Sequence, residues 1–199
     1  EDAPERGERQ GKLPHEVRTE DHSRLTQPIE EDKKPWYHKG REMINFDSVD
    51  VTPLWENQVG RLINLGLIEP SDEELSQLRG ALEWTITNMR ENGGFVGFTY
   101  DPNRKYGGLR NQNWMDSDYS MRHQDGRPQV FPMRPVEVQG MAWGAFKQAE
   151  PIFQDIDPEF AAQLHIAASA IKGRFNSERY GFVFNSPTGG YFLSEAIDG

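Results

Sequence analysis

The chain has no cysteine among its 199 residues, which removes disulfide frameworks, thiolate metal sites and cysteine nucleophiles together. No apolar run approaches the ~20 residues needed to span a bilayer. Lysine and arginine nowhere cluster, and at 22 they are outnumbered by 32 aspartates and glutamates, giving a formal charge of −10. That balance argues against nucleic acid or an anionic membrane as the main partner and is compatible with neutral, hydroxyl-rich ligands. Hydrophobic residues are scarce at 35% while charged ones reach 27%, a low apolar share for a globular domain. The opening EDAPERGERQ has neither Met nor an apolar leader core, so no signal peptide is visible. The N-terminus looks truncated, and the expected compartment is the cytoplasm. The five histidines (15, 22, 38, 123, 165) never stand four residues apart, so neither a metal nor a cofactor is expected.

Residues 1–12 are polar and read as a mobile terminus. Residues 19–42 read as a long surface excursion anchored by Trp36 and Tyr37. Regular structure is expected from about residue 50. Asp50 or Thr52 is an N-cap, Pro53 fits a first turn, and Leu54 or Trp55 with Val59, Leu62 and Ile63 marks a face that ends at Gly66. In the next segment Ser71 and Glu74 form a capping box, and Leu75, Leu78, Leu82, Ile86 and Met89 recur at spacings of three and four. A third helix over 135–153 carries Gly140, Ala142, Gly144 and Ala145, small enough for close helix contact. A fourth has Phe160, Leu164, Ala167 or Ala168, Ile171 and Phe175 on one face. Two short aromatic and β-branched runs around 187–190 predict a hairpin. Strands and helices do not alternate, so a parallel sheet is not expected. Two helix pairs with a polar loop between them suggest units of a helical toroid.

That loop carries the chemistry. Residues 111–120, NQNWMDSDYS, have no hydrophobic period of 2 or of 3.6, yet mix Trp, Met and Tyr with amides, hydroxyls and two aspartates. A loop both polar and aromatic suits a sugar, which offers hydroxyls at its rim and C–H faces above and below. Apolar neighbours would raise the pKa of Asp116 and keep it protonated as an acid catalyst. The alternative is an aspartate that caps a turn. An EF-hand reading of Asp118, Ser120 and Asp125 fails because Met121 stands where the loop glycine belongs. Trp114 is the ring best placed for stacking on a pyranose, whereas Trp55, Trp84 and Trp143 read as core. Glu137 and Gln139 open the third helix, where a carboxylate either complements the helix dipole or lines a cavity with Trp143. Glu16 and Arg18 have the spacing of a surface ion pair.

Four segments in order, GKLPHEVRTED (11–21), SVDVTPLWENQ (48–58), GGLRNQNWMDSDYSMRHQDGR (107–127) and PVEVQGMAWGAFKQAE (135–150), resemble the amylo-alpha-1,6-glucosidase, or glycogen-debranching-type, glycoside hydrolases. The resemblance spans residues 11–199. It implies an (α/α)6 barrel of the six-hairpin glycosidase type with a short β-hairpin near the C-terminus. Residues 13–199 would supply only part of that catalytic domain, because twelve helices need on the order of 350–450 residues. The remainder of the barrel is then the implied partner, alongside a carbohydrate substrate. It further implies inverting hydrolysis of an α-glucoside, with Asp116 as general acid. Trp114, Glu137 and Gln139 would line the sugar pocket, with Glu16, Arg18 and Asp50 as further contacts. The base is expected beyond Gly199, Asp50 being the best internal choice. Two positions depart from the family: Asn113 replaces a glycine before Trp114, and Arg134 replaces a small or aliphatic residue. Two alternatives stand beside this reading: a sugar-binding or structural segment with no activity of its own, and a same-fold hydrolase of small glucosides or sucrose.

Overall fold

The computed structural model describes residues 2–19, 35–39, 42–115, 117, 120–177, 181–185 and 188–199. They are mainly helical: α1 (Val51–Asn64), α2 (Asp72–Glu91), α3 (Val136–Phe153) and α4 (Pro158–Phe175). The expected capping box starts α2, where Ser71 N–H donates to Glu74 Oε2 at 2.7 Å and Glu74 N–H donates to Ser71 Oγ at 3.3 Å. From there Leu78, Leu82, Ile86 and Met89 are buried as the spacing predicts. In α4, Asp157 caps Phe160 N–H at 3.0 Å, and Phe160, Leu164, Ala167, Ala168 and Ile171 face inward. Phe175 stacks on Phe182 with their rings 10° apart.

Helix α1 departs from expectation. Asp50 is its N-cap residue, but the Asp50 carboxylate accepts from Ser48 Oγ and not from the helix. The fully buried ridge is Thr52, Pro53, Glu56 and Gly60, with Trp55, Val59 and Ile63 alongside, while Leu54 and Leu62 are exposed. Small groups decide this orientation. A Cβ on Gly60 would lie 2.8 Å from Gln148 Cβ, and one on Gly144 would lie 2.8 Å from the Asn57 amide. These glycines let α1 and α3 approach closely. Because 57 meets 144 and 60 meets 148, the two helices run parallel. Each is followed by a returning helix, so the described residues hold two helical hairpins set side by side. Trp84 is buried and Trp55 half-buried, but Trp143 is 39% exposed, on the face of α3 turned away from the core. No helix among the described residues is long and apolar enough to cross a membrane.

The strands are short. β1 (Glu16–Arg18) and β2 (Tyr37–Lys39) flank β3 (Glu42–Asn45), both antiparallel to it. β4 (Arg134–Pro135) pairs with β7 (Ala196–Ile197), and β5 (Val183–Asn185) with β6 (Tyr191–Leu193) gives the expected C-terminal hairpin. The N-terminal stretch meets the rest of the protein through its backbone. Pro4–Arg6 forms a 3-10 turn, Tyr106 N–H donates to Glu5 O at 2.9 Å, and Gly11, at φ +81°, sits so close to the Gly80 carbonyl that a Cβ would lie 2.1 Å from it. Of the 19–42 excursion, most lies outside the described residues. Its Tyr37 ring meets Tyr106 edge-on at 5.4 Å and carries the Arg6 guanidinium at 4.2 Å.

Candidate functional site

Residues 111–114 are arranged inside out. Asn111, Gln112 and Asn113 are buried and the Trp114 ring is 70% exposed. The amides turn inward because each has work there. Asn111 Nδ2 donates to Ser117 O at 2.5 Å and to Ser120 Oγ at 3.1 Å. Gln112 Nε2 reaches Thr99 O at 3.3 Å, and the Gln112 backbone carbonyl accepts from Val49 N–H at 2.7 Å. Asn113 Nδ2 donates to Glu137 Oε1 at 3.0 Å, while Asn113 Oδ1 is buried with no hydrogen-bond partner. The loop is thereby tied to the N-terminal ends of the two parallel helices: to α1 through Val49, next to Asp50, and to α3 through Glu137.

Asp50, Trp114 and Glu137 therefore belong to one end of the fold. Asp116, with Asp118 and Tyr119, lies outside the described residues. Gln139 stands behind this end. It is wholly buried. Its Nε2 donates to Val96 O at 2.7 Å and Pro135 O at 2.8 Å, and its Oε1 accepts from Val96 N–H at 2.8 Å. The amide splints the 95–97 segment to the start of α3. Glu16 and Arg18 sit apart on β1, a strand at the edge of its sheet, paired with each other at 2.5 Å and partly exposed. Both residues that depart from the resembled family make structural bonds. Asn113 holds Glu137, and Arg134 Nε donates to Asn92 O at 2.7 Å.

Three features were not read from the sequence. Asp47 and Arg104 form an ion pair with side chains only 1% and 8% exposed. Asp47 Oδ2 also accepts from Gly108 N–H at 2.7 Å and Leu109 N–H at 3.2 Å, stapling the start of the site loop to the end of β3. Glu56 is wholly buried between α1 and α2. Thr85 Oγ1 donates to its Oε1 at 2.7 Å, its Oε2 has no partner, and burial pushes its pKa up from 4.5 to about 8 against the Thr85 hydrogen bond. Lys12 lies in a cleft of about 370 Å³ between the N-terminal stretch, α2 and the 97–104 segment. Burial lowers its pKa to about 8, with Asp47 opposing the shift and Arg104 and Arg9 adding to it. The spacing of ionisable residues along the chain signals none of these, since each partner comes from a distant element. Among the described residues no group of three His, Asp or Glu could hold a metal ion. Compared with known proteins, no family model matches the chain, and no curated protein does either.

Proposed function

We propose that the chain carries part of the active site of a glycoside hydrolase acting on α-glucosides, of the glycogen-debranching, amylo-alpha-1,6-glucosidase type. One observation carries the reading: an exposed Trp114 beside a buried Asn113 that orients Glu137 and keeps an unpaired acceptor. An exposed indole face is a platform for the C–H face of a pyranose. A buried acceptor without a partner costs about 1–3 kcal/mol, a cost the fold bears while Asn113 Nδ2 holds the Glu137 carboxylate in place. The convergence of Asp50, Trp114 and Glu137 at one end of two parallel helices is what a toroidal glycosidase requires. In this reading the rest of the barrel completes the ring and the protein works in the cytoplasm.

Asp116 then protonates the leaving glycosidic oxygen. In this reading the apolar neighbours of Asp116 in sequence, Trp114 and Met115, are what keep such a proton in place; Met115 is half-buried against the core. A carboxylate about 6.5–9.5 Å away activates water on the opposite face, giving inversion. Asp50 is the internal candidate for that role. The test is release of glucose from a panel of α-glucosides, followed by Trp114→Ala. The loss of a stacking ring raises KM at least about tenfold and leaves stability almost unchanged, because the ring is exposed. Unaltered KM and kcat in that variant refute the site.

A further inference from the structure

The cleft of about 370 Å³ beside α2 holds an amine that the proposed reaction does not use. Lys12 is half-buried along it, between the N-terminal stretch, α2 and the 97–104 segment. Its bonding there is thin. Lys12 Nζ donates to Gly7 O at 3.4 Å, longer than such bonds usually are. It stands 5.8 Å from the centroid of the Trp84 ring, at the outer limit of a cation–π contact.

The other charged groups around the cleft are already engaged. Glu8 pairs with Arg6 on its own stretch. Arg9 lies 3.6 Å from Glu91 of α2, Arg104 pairs with Asp47, and Asp101 accepts from Asn103 N–H at 2.8 Å. Among the described residues, Lys12 alone of the three cations lining the cleft has no carboxylate partner. An ammonium in such a place is disfavoured by lost hydration and by the neighbouring Arg104 and Arg9, with Asp47 acting the other way. With a pKa lowered from 10.5 to about 8, roughly a quarter of the amine is unprotonated at about pH 7.5, against about a thousandth of an ordinary lysine. Desolvation together with an adjacent cation is how a lysine becomes a nucleophile near neutral pH.

We propose that Lys12 is a carbonyl-reactive amine and that this cleft takes a small aldehyde, held to it as an imine. The nitrogen lone pair adds to the carbonyl carbon, and the oxygen takes up a proton as the nitrogen gives one up. The carbinolamine then loses that oxygen, with the remaining N–H proton, as water, and the C=N bond forms. One water leaves, and nothing is oxidised or reduced. An imine nitrogen is less basic than the amine it replaces, so the product also relieves the cleft of an ill-placed ammonium. Acylation would do the same but needs an activated donor. The inference rests on the cleft and not on the hydrolase reading.

The experiment treats the folded protein with propionaldehyde, traps imines with cyanoborohydride, and follows each lysine by peptide mass mapping. The exposed Lys105 and Lys172 serve as references within the same molecule. At about pH 7.5 Lys12 is modified at least about tenfold faster than either. That advantage disappears as pH rises to about 10, where ordinary lysines also lose their protons, and it disappears in the urea-unfolded chain. The inference is overturned if Lys12 reacts no faster than the references at about pH 7.5. It is equally overturned if the advantage is independent of pH, which would mean access alone, or if it survives unfolding, which would mean local sequence alone.

Discussion

Glu56 offers the sharpest energetic test of the fold. Its carboxyl is wholly buried, accepts one hydrogen bond from Thr85, and has a pKa raised from 4.5 to about 8. The folded state thus binds this proton more tightly than the unfolded chain does. Between the two pKa values the folded protein holds one proton more, so stability falls as pH rises, by up to about 1.4 kcal/mol per pH unit. Over the whole interval the loss approaches about 5 kcal/mol, and at pH 7 it is about 3 kcal/mol. Glu56→Gln keeps an oxygen for the Thr85 hydroxyl and cannot ionise. The variant should match the parent near pH 4 and exceed it by about 3 kcal/mol at pH 7. Urea denaturation of both proteins across this range measures the difference directly. Carboxylates held below their usual range, such as Asp157 beside Arg79 and Glu150 beside Lys147, act with the opposite sign but cancel in the comparison. Stability curves that stay parallel at every pH would refute the burial of an ionisable Glu56.

Three further outcomes follow from the packing and the site. Gly60→Ala forces a Cβ to 2.8 Å from Gln148 Cβ and destabilises by about 1–3 kcal/mol through overpacking, whereas Gly173→Ala, with open space around it, stabilises by about 0.5–1 kcal/mol through helix propensity; thermal melts of the pair check the sign reversal. Asp47→Asn leaves the Arg104 charge buried and uncompensated and costs about 3–5 kcal/mol, read by chemical denaturation. Glu137→Gln keeps an acceptor for Asn113 but removes the charge, so under the hydrolase reading turnover falls while the melting temperature holds.

The elements that proved legible are those whose signal is local. Helix α2 carries its cap, its capping box and its stripe within its own residues, and the structure follows them closely. The orientation of α1 was not legible, because its buried ridge is Thr52, Glu56 and Gly60, residues with little hydropathy whose partners lie on distant elements: Leu13, Thr85 of α2 and Gln148 of α3. Leu54 and Leu62 were the stronger local signal and yet face solvent. Trp143 is the same lesson in reverse: a large ring on a helix invites burial, but it is 39% exposed and outside the core cluster.

At the site, the polar and aromatic character of 111–114 was plain, but its inside-out arrangement was not. Amides at three successive positions read as a solvated loop, and it is Ser117 within the loop with Thr99 and Glu137 outside it that turn them inward. The Asp47–Arg104 pair lies 57 residues apart in sequence, beyond the reach of any spacing rule. Gln139 shows how a side chain in a suggestive motif is used for structure once neighbouring backbone needs its amide.

The most direct measurement is the anomeric configuration of glucose released from α-glucosides, followed by proton NMR for the protein with its complete barrel and for Asp116→Asn in the same protein. The account predicts β-glucose as the first product of the parent, and no release from the variant at an unchanged melting temperature. Retained α-configuration, or undiminished release from Asp116→Asn, would contradict it.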